Sequence, residues 1–379
     1  MTCSRSLRWL FVLLLGSTFT VAQNPAPGTT KDDEDVVKAG LKDPFTSGEQ
    51  KPMQALGIVA YGPFLWADNL RTDAIDKVLG EKRILWMETQ HFLIGCNLGT
   101  TQIPEEAEAR KIVNAELGRL NKKLSKLPAR ASKLEPWVRL HLYALRAEEL
   151  YAEFAKLIGH DESTGTCLGQ KGKFTLLLFQ KRSDLARYLD RFLNIKSQSA
   201  MRAWHAKTQQ HGLVIAAEAE EVRDEAVVYA QFRNMMTEVF CDAMGGSPPW
   251  LSMGLAHHFE RKIPSRMILA AIKDGESVDS QTQHLWHDKM KNRAAHEKLL
   301  VPFRDLVNKT DFGYYDHLQV WSRVDYLLTL DRAKFGKFMV ALQGSYGATT
   351  QFEKLAEIYG MEPEQFDTKW REFVLKTYK

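Results

Sequence analysis

The chain has 379 residues, 44% of them apolar and 26% charged, with a formal net charge of +4. That length and apolar share suffice for one large domain or two without an external staple. The near balance of charge argues against nucleic acid or an anionic membrane surface as the main partner.

The first residues have the make-up of a secretory signal. Arg5 and Arg8 form a basic start, Leu7 to Leu15 form a short apolar run, and Thr20-Val21-Ala22 supplies small residues before Gln23. This pattern predicts a signal peptide over 1–22, a mature chain from Gln23 and an extracytoplasmic location, secreted or periplasmic. The apolar run is short of the roughly 20 residues that cross a bilayer, and no later segment is apolar enough to do so. Cys3 precedes the run, so a lipid-modified cysteine is not indicated. Loss of Arg5 and Arg8 brings the net charge from +4 to +2. Three cysteines remain, an odd number. Cys96 and Cys167 both sit in Gly-flanked, non-helical sequence and are the pair expected if a disulfide forms, whereas Cys241 falls in a helical pattern as a small buried apolar residue.

From Gln23 to residue 55 the sequence is rich in Pro, Gly, Lys, Asp and Glu and lacks periodicity, which predicts a flexible leader with order beginning near Leu56. The stretch 56–169 then predicts a strand and a helical pair. Ile84 to Cys96 has β-type composition, and Pro104-Glu105-Glu106 opens a helix whose Val113, Leu117, Leu120, Leu124 and Leu127 share one stripe. A second helix follows Pro136, with Leu140, Tyr143, Ala147, Leu150, Tyr151, Phe154 and Leu157 on its apolar face and Arg139, Arg146, Glu149 and Glu153 opposite. The two helices are expected to be antiparallel.

Phe174 to Phe179 is almost uninterruptedly apolar, as in a strand covered on both faces. A short helix from Ser183-Asp184 to Leu193 and a weaker strand over Leu213–Ala217 come next. Asp224 to Met244 reads as a helix apolar nearly all round and therefore buried. Gly245-Gly246-Ser247-Pro248-Pro249 ends it, and a new helix begins at Trp250. Helices with loops fill 263–379, including Tyr315–Leu330 and a final amphipathic helix carrying Phe366, Trp370 and Phe373. The fold class is therefore α+β and predominantly helical, with a small mixed sheet.

Pro248-Pro249-Trp250-Leu251-Ser252-Met253-Gly254-Leu255-Ala256-His257-His258-Phe259-Glu260 resembles a segment of the gluzincin-type metallopeptidases of the peptidase MA-like group. In that family it reads Pro-Pro-Trp-Leu-Ser-Glu-Gly-Leu-Ala and follows a helix carrying H-E-x-x-H. Lys173–Leu189 looks like the strand and helix that precede the motif. Tyr315–Leu328 and Phe352–Phe373, with Trp321 and Trp370, look like the family's C-terminal helices, while Leu56–Gly169 has no such counterpart. The resemblance implies a gluzincin-like core over 170–262 and a C-terminal helical subdomain over 263–379.

The family's chemistry needs two histidines one helical turn apart on a zinc ion, a glutamate beside the first to take a proton from the bound water, and a third ligand on the next helix. By this resemblance Asn234 stands for the first histidine, Met235 for the catalytic glutamate, Glu238 for the second histidine and Met253 for the third ligand. A thioether neither takes a proton from water nor supplies an anionic oxygen, and Asn234 offers only a neutral amide oxygen. The expectation is a pseudopeptidase with no catalytic residue, metal or cofactor, whose old cleft, lined by Asp242, Trp250, His257, His258 and Tyr315, serves binding of an unknown protein or peptide, or stability. Two other readings stand beside it: a metal-dependent hydrolase with non-standard ligands, and a structural partner in an envelope assembly. Glu238, Asp242 and His257 or His258, at one-turn spacings, would be the ligands of a relocated metal, although adjacent histidines point in different directions on a helix. Tyr314 and Tyr315 fit either an oxyanion-stabilising role or packing. His91 reads as structural, and His284, His287 and His296 as surface residues. No G-x-S-x-G, P-loop or paired-cysteine zinc spacing occurs.

Overall fold

Alternate residues of the central strands feed two different cores. In the computed structural model, which describes residues 42–67, 70–80, 84–196, 202–207, 210–217, 224–270, 277–282 and 285–379, six strands form one mixed sheet. They are β1 (Ala60–Tyr61), β2 (Leu85–Glu88), β3 (Phe92–Asn97), β4 (Phe174–Phe179), β5 (Arg202–Lys207) and β6 (Gln210–Ala216). Their spatial order is β1-β2-β3-β4-β6-β5. The β3, β4 and β6 strands run parallel, and the outer pairings are antiparallel.

Phe174, Leu176 and Leu178 point into the larger core with Phe92, Ile94, Leu213 and Ile215. Leu177 and Phe179 point the other way, against Trp66, Trp86, Leu185 and Tyr188. Both faces are covered, which is why the β4 sequence is continuously apolar. On the second face the Trp86 ring lies over Gly95, where a Cβ would stand 2.3 Å from it.

The parallel β3 to β4 connection carries α-helices, as such crossovers require. Helix α1 is Gln50–Leu56, α2 Thr72–Val78, α3 Ala107–Lys123 and α4 Pro136–Ile158. Glu106 caps α3 by accepting from the Ala109 amide, and Pro136 opens α4 at a position whose N–H would have no partner. Val113, Leu117 and Leu120 of α3 pack against Val138 and Leu142 of α4, as does Leu127, which lies beyond the end of α3.

The four residues assigned to the polar face of α4 divide. Glu149 and Glu153 lie at or near the surface, but Arg139 and Arg146 are buried. Arg146 donates to Glu116 on α3 and to Glu225, Arg139 also donates to Glu225, and Tyr229 lies under the Arg146 guanidinium at 4.0 Å. Charge pairing, invisible to periodicity, lets polar residues occupy an interior stripe.

Residues 42–55, expected to belong to a flexible leader, are ordered and include most of α1. The buried Asp43 carboxylate, inside that stretch, accepts from the Phe45 amide, Thr46, Tyr61 and His141 of α4. A second correction concerns the cysteines: among the described residues Cys96, Cys167 and Cys241 are free thiols. Cys96 lies level with Leu178 near the far end of β4, whereas Cys167 precedes the start of that strand at Phe174. Cys96 feels the charges of Arg139 and Glu225, and Cys167 those of Glu148 and Lys173, so the two thiols occupy different surroundings.

The remaining helices of seven residues or more are α5 (Arg182–Tyr188), α6 (Glu225–Ala243), α7 (Pro249–Glu260), α8 (Leu285–Ala295), α9 (Tyr314–Leu330), α10 (Arg332–Ala341), α11 (Ala348–Tyr359) and α12 (Pro363–Thr377). A single π-type turn, Leu189–Leu193, extends α5. A small hairpin, β7 (Arg266–Ala270) with β8 (Ser277–Thr282), follows α7. The architecture is thus α+β and predominantly helical. Residues 42–379 form one unit, and the segment boundaries expected at 169 and 262 fall inside it. Among the described residues no helix is long and apolar enough to cross a membrane.

Candidate functional site

Two helices and a tight connection position the site. The Asp224 side chain caps α6 by accepting from the Ala226 amide, and α6 is buried from Glu225 through Thr237. Gly245 and Gly246 adopt φ of +113° and +84°, left-handed conformations that a side chain resists, and reverse the chain. Pro249 then starts α7 antiparallel to α6. On its other side α7 meets α9 closely, since a Cβ on Gly254 would lie 2.5 Å from the Val320 carbonyl oxygen.

Asn234 sits in the middle of this hairpin, 6% exposed. Its amide nitrogen donates to Glu260 Oε2 at 3.0 Å and lies 3.4 Å from His257 Nδ1. His257 Nδ1 is 2.9 Å from the same carboxylate oxygen, and His257 Nε2 is 3.0 Å from His317 Nδ1 on α9. An ionised carboxylate only accepts, so a neutral His257 carries its proton on Nδ1 and accepts from His317 at Nε2. Trp286 of α8 stands 5.2 Å from the His257 ring, and Phe312 borders His317. The result is a polar junction of α6, α7 and α9 set in aromatic surroundings.

The positions that the resemblance assigned to a metal centre lie on the two facing helices, Asn234, Met235 and Glu238 on α6 and Met253 on α7. Asn234 is spent on Glu260. Met235 is buried in the core, and Met253 is half-buried against it. In an antiparallel pair, one turn toward the connection from Asn234 and His257 lie Glu238 and Met253. Glu238 is half-buried, and its charge adds to the burial that pushes the neighbouring Cys241 thiol well up from its ordinary range. A buried, protonated thiol is a packing group and not a nucleophile.

The donors expected for a relocated metal have separate partners. Asp242 accepts from His211 of β6 at 3.0 Å, and His211 Nδ1 meets Gln170 at 2.8 Å. His257 has its two nitrogens engaged on opposite edges of the ring, so Glu260 and His317 do not converge on a common point. His258 turns the other way, 3.7 Å from Asp325, with burial lowering its pKa. Among the described residues no group of three His, Cys, Asp or Glu side chains could hold a metal ion.

Two expected cleft residues lie elsewhere. Trp250 is fully buried and donates to Gln351 at 2.7 Å, so it packs the interior. Tyr315 is 52% exposed, with the Arg293 guanidinium 4.2 Å over its ring. Its neighbour Tyr314 stands nearer the site, edge-on to Trp286, and accepts from Lys289.

His91 is 2.6 Å from Glu148 and stacks on Tyr151, as a structural residue does. His296 is exposed, His287 instead packs against Trp321 and Tyr378, and His284 lies outside the described residues. His317 was not singled out from the sequence: sixty residues separate it from His257, and no helical spacing links them.

No family model matches the sequence, and no curated protein is significantly similar to it.

Proposed function

We propose that this chain is an exported, catalytically inactive relative of the gluzincin-type peptidases, in which the hairpin that would carry a zinc centre persists as a scaffold. The observation that carries the reading is the Asn234 amide held by Glu260, with His257 engaged at both nitrogens. Supporting it are the thioethers of Met235 and Met253 and the separation of Asp242 and His258 onto other partners. A zinc site needs several anionic or imidazole donors converging at about 2 Å from one point. Without such a set there is neither a low-pKa water nor a Lewis acid for a peptide carbonyl. On this reading the interior of the old centre is filled, and any protein or peptide partner binds at the surface. The amino-terminal pattern supports a location outside the cytoplasm after cleavage behind Ala22.

The test is purification from the export compartment without chelator, followed by metal analysis, N-terminal sequencing and a proteolysis assay. The expected result is a chain starting at Gln23, zinc far below one equivalent and no cleavage of an unfolded protein substrate. Stoichiometric zinc that is lost in Glu238→Ala, together with proteolysis abolished by chelation and restored by metal, would overturn the reading in favour of a hydrolase with non-standard ligands.

A further inference from the structure

We draw no further inference here: the strongest candidate, the Glu260–His257–His317 chain of hydrogen bonds running from α7 to α9, belongs to the site already described.

Discussion

Asn234 donates its side-chain amide to Glu260 at 3.0 Å across the α6–α7 hairpin, two buried residues joined 26 positions apart. Little water reaches the carboxyl group, so the amide supplies a hydrogen bond that solvent would not replace. Asn234→Ala removes one donor from a buried carboxylate and should cost about 1–3 kcal/mol. Asn234→Asp keeps the shape but sets a second carboxylate beside Glu260, so it should destabilise more than alanine at pH 7. Urea unfolding of the two variants checks the order. Equal losses would show that the charge of Glu260 does not govern the position.

The Arg146 guanidinium bridges Glu116 and Glu225 with all three side chains at or below 1% exposure. Removing one partner from a buried ion pair leaves an uncompensated charge, typically worth 3–5 kcal/mol, although the intact pair adds little net stability. Arg146→Met should therefore be among the most damaging single changes in the chain. Adding Glu116→Gln to it should recover part of the loss, because one orphaned carboxylate disappears with it. A double-mutant cycle by denaturant unfolding reads this directly, and strict additivity of the two losses would refute the coupling.

These networks mark what the sequence disclosed and what it hid. The β4 strand, the α3–α4 pair and the α6–α7 hairpin were legible because each is dictated by local rules: a strand buried on both faces, a proline-led start, a Gly-Gly reversal before Pro-Pro. The two-residue β1 and the strands β5 and β8 carry no comparable apolar signature and were missed, as was β7, whose apolar run over 267–270 was read as part of a helical stretch. Arg139 and Arg146 were placed on the wet face because periodicity scores a residue alone, while their burial depends on Glu116 and Glu225. Asp43 was assigned to a flexible leader for the same reason, its partners Tyr61 and His141 being 18 and 98 residues away. The site was half legible. The altered motif positions could be read off, but the polar junction that joins Asn234 to His317 is made by tertiary packing between α7 and α9.

Two aspartates should give stability profiles of opposite sign. Hydrogen bonds from His141, Tyr61 and Thr46 hold the Asp43 carboxyl far below its ordinary 3.8, outweighing burial. Its contribution is present above pH 4 and is lost as pH falls toward the folded-state value. Burial, the largest influence on Asp76, raises it to about 6 despite the hydrogen bond from Trp86. The unfolded chain ionises first, so the folded state loses stability as pH climbs from about 4 to about 6 and levels off above. Asp43→Asn should therefore be destabilising at pH 7, with the gap to wild type closing below pH 4. Asp76→Asn, which keeps an acceptor for Trp86, should gain on wild type from pH 4 to 6 and hold that gain at pH 7. Unfolding midpoints at pH 3, 4, 5, 6 and 7 for the three proteins decide it, and parallel curves would contradict both assignments.

Gly254 tests how closely α7 and α9 pack. It lies in the middle of α7, where alanine would ordinarily stabilise a helix by up to about 1 kcal/mol. Here the added methyl would come within 2.5 Å of the Val320 carbonyl oxygen and of the Val324 side chain. Backbone cannot yield as a flexible side chain does, so α9 must shift away from α7, and overpacking of this kind costs about 1–3 kcal/mol. The shift also stretches the 3.0 Å contact between His257 and His317, which spans the same two helices. Gly254→Ala should accordingly lower the unfolding midpoint and change the imidazole signals of both histidines in a proton–nitrogen correlation spectrum. A variant as stable as wild type, with those signals unmoved, would mean that α7 and α9 are not packed as closely as the Gly254 contact requires.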